Sequence, residues 1–354
     1  MELRQLRYLI SIIDFGSFSK ASGQLNVAQP ALSQQIANLE SELEKPLLVR
    51  SARGVQPTDA GLRLYRQAQI ILAHVEQAKS DVLMSEFAEQ FVGQVSVGLP
   101  TSTATMVALP YIQRMRSNFP GIQLRVVEAL SGHLIEMLLN NRIDLAIQFR
   151  SEPAAGLQVE RLLVEELFFI SSEAETKGQP ITFAEMAKRP VTVPGKPHAM
   201  RAVIDKACQE MGIELQIVAD VDSLPALRGI AATGFAGVIL PQSALAESTG
   251  YGEMFSRPIV EPKLTRPLAL CRSEGAPRSR AMQAAEEVLR FLIKDLVEIG
   301  TWKGATLDLG LSSRKPDKSL TPKAKRRSRQ PEQRAEPAAQ MTPVVRKPPI
   351  RSAS

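Results

Sequence analysis

Leu32, Ile36, Leu39 and Leu43 recur at spacings of four, three and four, the apolar stripe that a surface helix buries on one side. Pro30 suits the first helical position, where a missing N–H costs nothing and a fixed φ starts the helix, leaving Gln29 near the cap. The opposite face carries Ser33, Gln34, Ala37, Asn38 and Ser41, small and amide side chains in place of the Glu/Lys mixture that usually solvates a helix. Upstream, residues 17–25 predict a smaller helix. Ser17 or Ser19 caps it, Ala21 and Ser22 allow close crossing, and Leu25 closes the core. Gly23 in its middle costs up to about 1 kcal/mol of local helix stability. Leu3, Leu6, Leu9/Ile10 and Ile13 supply a third helix to pack against. Gln and Asn can bond adenine N6/N7 bidentately and Ser can pair either way, so Gln29, Ser33 and Gln34 are the natural base readers. From periodicity alone, an ordinary helical hairpin fits equally well.

The next segment decides between them. Residues 47–58 alternate apolar and polar around Gly54, as a two-stranded wing would, with Arg50 and Arg53 near the tip to meet phosphates or a narrow minor groove. The succession Ser17-Phe18-Ser19-Lys20-Ala21, Ala28-Gln29-Pro30-Ala31-Leu32-Ser33, Leu39-Glu40, Leu47-Leu48-Val49-Arg50 and Thr58-Asp59-Ala60-Gly61 resembles the winged helix-turn-helix of LysR-type transcriptional regulators. The likeness is dense over roughly the first 65 residues and, within the family, is greatest to the nitrogen-assimilation-control subgroup. Ser22 and Gly23 depart from the usual Ala-rich middle of the first motif helix. The DNA-facing set is then Ser17, Ser19, Lys20, Gln29, Pro30, Ser33, Gln34, Asn38, Arg50 and Arg53.

From Thr58-Asp59 to about residue 88, Leu64, Ala68, Ile71, Val75, Ala78 and Val82 alternate four and three apart, a heptad seam. A helix of about 30 residues, roughly 45 Å long, suits an intersubunit coiled coil, and Ala68 and Ala78 permit close approach of a second helix. Two recognition helices on a twofold axis also read a near-palindrome with multiplied affinity. The resemblance implies paired dimers on an interrupted dyad.

After Gly93 the pattern becomes βαβαβ: strands at 94–99, 123–128 and 144–149, with helices between them. A second set follows, with strands at 166–170, 190–193, 215–221 and 237–241; residues 268–271 and a helix at 279–299 return to the first lobe. Such alternation predicts a parallel sheet with helices on both faces, and two lobes joined twice make a hinged cleft. The fold class is thus α+β multidomain: winged helix-turn-helix (1–58), linker helix (59–90) and a two-lobed α/β effector domain. Lobe I spans 91–161 and 266–302, and lobe II spans 162–265. The resemblance implies a layout similar to periplasmic solute-binding proteins, with ligand between the lobes. Ligands of such sheets sit beyond strand carboxyl ends, near helix N-termini. The candidates there are Thr101, Ser102, Thr103, Ser131, Gln148, Phe149, His198, Met200, Arg201, Asp222 and Ser223. For Thr101, Thr103 and Ser131, helix capping explains the residue as well as ligand contact does. Arg201 is the main cation, so a polyanionic ligand is not favoured.

The formal charge of +6 over 354 residues resides in the tail. Residues 303–354 hold 13 Lys/Arg and 4 Asp/Glu, whereas the rest of the chain sums to −3. That basic, Pro-rich stretch has too little apolar content to fold alone and reads as a disordered extension, with a DNA-tracking arm as the alternative. Cys208 and Cys271 are far apart and the three histidines are scattered, so no metal, cofactor or redox pair is expected. No spanning apolar run or signal peptide is read in the sequence, so the chain is expected in the cytoplasm without membrane contact. An enzyme lacks support, because G-x-G-x-x-G, G-x-S-x-G and phosphate-loop motifs are missing. A solute receptor without a DNA role is opposed by the first 60 residues. The expected partners are double-stranded DNA, a second or fourth copy of the chain and a small-molecule effector, with RNA polymerase a further candidate.

Overall fold

The computed structural model describes residues 1–51, 54–83, 91–150, 152–196, 198–245, 252–276, 278–315, 317 and 320. Helices α1 (Leu3–Phe15), α2 (Phe18–Leu25) and α3 (Gln29–Leu43) close over Leu9, Ile12, Phe18, Leu32, Ile36 and Leu39. Leu43 is exposed, in contrast to the periodic expectation, because α3 ends at Glu44 in a left-handed turn (φ 52) beyond the core. Leu3 is likewise exposed, and α1 buries Gln5, Leu6, Leu9 and Ile12 instead. Ala28 is the cap of α3 and Gln29 its first residue, so Pro30 stands one place later than expected. Nothing is lost, since first-turn N–H groups have no intrahelical partner.

The wing consists of β1 (Leu48–Ser51) antiparallel to β2 (Gly54–Pro57). It is pinned to the end of α1, where Val55 N–H donates to the Gly16 carbonyl at 2.9 Å. Gly54 has φ +113, and a Cβ there would lie 2.7 Å from the Gly16 oxygen, so only glycine fits this approach.

Helix α4 (Asp59–Leu83) follows. The Thr58 hydroxyl accepts from Gly61 N–H at 3.0 Å and donates to the Pro46 carbonyl at 2.7 Å, fixing the helix start against the wing. The seam read from sequence is divided. Ala68 is fully buried inside its own chain rather than offered to a partner, because the first turns of α4 pack on α1. Leu64, Ile71 and Val75 are half-buried and Ala78 is exposed, while the Val82 side chain lies outside the described residues. The Tyr65 hydroxyl donates to Asp14 of α1 at 2.6 Å and accepts from Arg142 at 3.2 Å, and Arg66 donates to Asn140 at 3.1 Å. Arg142 and Asn140 belong to the effector domain, so these bonds join it to the DNA-reading end.

In that domain β3 (Gly93–Leu99), α5 (Thr101–Asn118), β4 (Ile122–Glu128), α6 (Ser131–Leu139) and β5 (Leu145–Gln148) form the βαβαβ unit, with β3 parallel to both neighbours. The long β6 (Leu157–Ser171) leads into β7 (Ile181–Thr182), α7 (Phe183–Ala187), β8 (Pro190–Val193), α8 (Ala199–Met211), β9 (Gln216–Asp220), α9 (Leu224–Ala232), β10 (Gly237–Pro241) and β11 (Phe255–Val260). The chain returns through β12 (Thr265–Ser273) and α10 (Arg280–Glu298). The strands run β4-β3-β5-β12-β6-β10-β8-β9. The sheet is mixed rather than purely parallel, because β12 and β6 are antiparallel to each other and to their neighbours β5 and β10. These crossing strands separate two cores, one around Val97, Tyr111, Leu163 and Leu289, the other around Phe169, Phe183, Ile204 and Val238.

The expectation of disorder from residue 303 onward is corrected for its first part. Strand β13 (Ala305–Leu307) pairs with β6, α11 (Leu309–Ser312) buries Leu311, and Arg314 bonds Glu160 at 3.0 Å. A short apolar run, Ala305 to Leu311, finds an open edge of β6 that no local pattern announces. Residues 321–354 lie outside the described region.

Candidate DNA interface and effector cleft

Ser17 caps α2, its hydroxyl accepting from Lys20 N–H at 3.4 Å, and leaves Ser19 and Lys20 exposed on the first turn. Phe18 and Ala21 turn inward. On α3, Leu32, Ile36 and Leu39 hold the helix down, so Gln29, Pro30, Gln34 and Asn38 face outward with Ser33 half-buried beside them. Gln34 Nε2 donates to Asn38 Oδ1 at 2.9 Å, one turn apart. This leaves the Gln34 carbonyl and its second N–H free to pair with a base edge.

Arg50, expected to reach for phosphate, is exposed, but its guanidinium engages its own domain. Its guanidinium carbon sits 4.2 Å from the centre of the Phe18 ring, and Nη2 donates to Ser33 Oγ at 2.6 Å. Arg53 lies outside the described residues. Sequence reasoning did not find the Glu40 carboxylate, which accepts from Leu47 and Leu48 N–H at 2.7 and 3.1 Å and ties α3 to the wing. Its signal was the Leu39-Glu40 pair itself.

The second site lies between the two cores of the effector domain. Thr101, Ser102, Ser131, Phe149, His198, Met200 and Asp222 come together around one cleft, joined by Leu130, Leu224 and Arg266. Its internal volume is ≈ 40 Å³, room for a few waters. The other predicted residues are elsewhere. Thr103 and Gln148 are sealed in the interior, Thr103 one residue past the cleft wall on α5 and Gln148 in strand β5 paired with Ala269. Arg201 is consumed by Asp205 at 2.7 Å and Asp220 at 2.8 Å. Ser223 caps α9 by accepting from Ala226 N–H at 3.4 Å.

The cation of the cleft is Arg266, which sequence reasoning missed. It is buried in β12 opposite Glu165 of β6, bonding that carboxylate at 2.6 Å and Ser102 Oγ at 2.7 Å, and it lies 3.6 Å from the Phe149 ring centre. Glu165 also accepts from Trp302 Nε1 at 3.1 Å and Ser243 Oγ at 2.9 Å. The cation therefore arrives already neutralised. Burial, and then the charge of Arg266, pull the His198 imidazole below its ordinary pKa, with Asp222 opposing. His198 Nδ1 accepts from Met200 N–H at 3.1 Å, so the neutral ring presents Nε2–H as its remaining donor. Among the described residues no cluster of His, Cys, Asp or Glu could hold a metal.

Residues 3–62 match the bacterial regulatory helix-turn-helix protein, lysR family, and residues 88–292 match the LysR substrate binding domain. The chain belongs to the LysR family. It is 33% identical over 298 residues to the nitrogen assimilation regulatory protein nac of Escherichia coli (strain K12), covering 84% of this chain and 97% of that protein. The Klebsiella aerogenes protein of that name is 32% identical, covering 83% and 95%. In fold it resembles a full-length OxyR variant from Pseudomonas aeruginosa, with TM-score 0.69, 23% identity and coverage of 82% and 95%. Full-length CbnR complexed with its target DNA gives TM-score 0.57 at 21% identity, covering 82% and 99%. As a LysR regulator the protein binds DNA, acts as an oligomer and carries an effector-binding domain. Among the described residues no helix is long and apolar enough to cross a membrane.

Proposed function

We propose that this LysR regulator reads promoter dyads as a dimer or tetramer through Gln29, Ser33 and Gln34, and is switched by a small molecule held between its lobes. The observation that carries the reading is the outer face of α3, where uncharged hydrogen-bonding groups stand exposed above a fully packed apolar stripe. Ser17, Ser19, Lys20, Pro30 and Asn38 flank that face, and Arg53 reaches phosphate or the minor groove. Apolar surface for a second copy is offered by Leu109 and Ile112 on α5 and by Ile217 and Val218 on the edge strand β9, all exposed. The working units are 1–58, 59–90, the two lobes, and a tail starting near 321 rather than 303.

In the cleft, Thr101, Ser102, Ser131 and His198 supply polar contacts, while Phe149, Met200 and Leu224 supply apolar ones. Because Glu165 already neutralises Arg266, the effector is neutral or weakly charged, and the small volume means that the lobes part to admit anything larger than a few waters. An effector acts only if it prefers one arrangement of the lobes, and the Asp14–Tyr65–Arg142 contact conveys that preference toward the DNA-reading end. The protein works in the cytoplasm, has no catalytic activity, and meets RNA polymerase at the promoter.

The test is selection of duplexes from a randomised pool, followed by competition binding. Replacing Gln29→Ala should relax preference at one base pair, at a cost of about 1 to 3 kcal/mol against the favoured base. An intact preference removes Gln29 from the reading face.

A further inference from the structure

Arg50 and Ser33, 17 positions apart, are brought together by the packing of the wing on α3. The guanidinium carbon lies 4.2 Å from the centre of the ring of Phe18, itself part of the N-terminal core, and Nη2 is 2.6 Å from Ser33 Oγ. A guanidinium carries donors only, so Ser33 Oγ must accept in this bond. A solvated serine can donate or accept with equal ease. Here one lone pair is occupied by a cation, which polarises the hydroxyl and strengthens its proton as a donor. Among the described residues no other bond engages the Ser33 hydroxyl, and the residue sits beside the exposed Gln34 and Gln29.

We propose that Arg50 is a positioning residue that fixes the hydrogen-bond polarity of Ser33, making it a donor toward the DNA. Its partners are then acceptors in the major groove: guanine O6 or N7, adenine N7, thymine O4. The cytosine amino group, a donor, is disfavoured at that position, where a single Oγ lone pair remains to accept it. The contact with the Phe18 ring holds the guanidinium in place, so the wing contributes to base reading through α3 rather than by touching DNA with Arg50. This rests on the proposed role of Ser33 as a base reader.

The experiment uses the full-length protein and a duplex it has selected from a randomised pool. Affinities are measured by fluorescence anisotropy for single base-pair changes across the site and over a salt series. The proteins are wild type, Ser33→Ala, Arg50→Gln, Arg50→Lys and the Ser33→Ala/Arg50→Gln double variant, with circular dichroism confirming that each is folded. Ser33→Ala and Arg50→Gln should each reduce discrimination at the same base pair about five- to tenfold, the worth of one hydrogen bond. The double variant should lose no more than either single one. The salt slope should stay unchanged. Arg50→Lys keeps the charge but loses the planar fork, so it should show the same loss of discrimination and covers the case in which Arg50→Gln does not fold. A uniform loss over all sequences with the slope lowered by about 0.9 makes Arg50 a direct phosphate contact and overturns the proposal. If Ser33→Ala shifts base preference and Arg50→Gln does not, Ser33 reads without Arg50 and the proposal is overturned; if Ser33→Ala shifts none, the base-reader role of Ser33 fails and the proposal falls with it.

Discussion

Cys271 sits in β12 between Ala146 of β5 and Val159 of β6, among Leu134, Leu138 and Ile143. Burial pushes its thiol from 9.0 up to about 11, against a smaller downward pull from Arg150. The unfolded chain therefore releases this proton first. The resulting stability is complete below pH 9 and is lost as pH rises from 9 to about 11, roughly 3 kcal/mol in all. Urea denaturation of wild type and Cys271→Ala across that window should show their stability difference shrinking and then reversing; a constant difference would refute the burial argument. The strand that holds Cys271 was legible, since residues 268–271 read as part of the first lobe. Arg266 was not. Its partner Glu165 is 101 positions away, and only the antiparallel register of β6 and β12 sets them opposite each other. Arg201 failed in the converse sense: a cation at a helix start looked free because Asp220, which takes it, belongs to another strand.

At the scale of elements, two glycines in helices make a matched pair. Gly23 in α2 has open space where a Cβ would go, whereas a Cβ on Gly61 in the first turn of α4 would lie 2.0 Å from the Leu47 carbonyl oxygen. Gly23→Ala should therefore stabilise the protein by about 0.5 to 1 kcal/mol, through helix propensity and a less flexible unfolded chain. Gly61→Ala should destabilise it by about 1 to 3 kcal/mol or more, since the obstacle is backbone rather than a flexible side chain. Thermal melts of the two variants should move in opposite directions; a shift of the same sign would undo the close-approach reading of the Thr58-Asp59-Ala60-Gly61 turn. Elements with their own periodicity, α3 and the strands of the βαβαβ unit, were legible because one buried face writes the pattern. The length of β6 and the existence of β7, α7, β11 and β13 were not. Those strands are defined by partners remote in sequence, and the mixed direction of the sheet follows from the two crossings rather than from any local signal. The seam of α4 was half legible: the period is real, but part of it, including Ala68, faces its own α1.

For the whole molecule, the division of the C-terminal stretch decides where the chain can be cut. Residues from Met1 to Thr321 form one compact unit. Its last segment, from Trp302 to Arg314, covers the β6 edge and pairs with the cluster in which Arg290 meets Glu160, Glu286 and Glu287, each at 2.7 Å. Arg314 bonds Glu160 at 3.0 Å, and Lys294 donates to the Ser312 carbonyl at 2.7 Å. Ending the chain after Trp302 removes Leu311 from the core, frees the edge of β6 and takes one cation from a group of three carboxylates. The loss should amount to several kcal/mol, since one buried leucine alone is worth about 2 to 5 kcal/mol. Ending it after Thr321 leaves every one of these contacts in place while removing nine Lys/Arg and two Asp/Glu. That shorter chain should melt at the temperature of the full protein, and the slope of log affinity against log salt on a selected duplex should match it too, because side-chain charge that meets no phosphate is screened beyond about 10 Å. Each phosphate the tail neutralises would instead add about 0.9 to the slope of the full protein, so a shallower slope after the cut identifies the tail as a DNA-tracking arm. The two cuts together separate residues 303–314, which pack on β6, from the basic sequence after Thr321, which composition alone had merged into one segment.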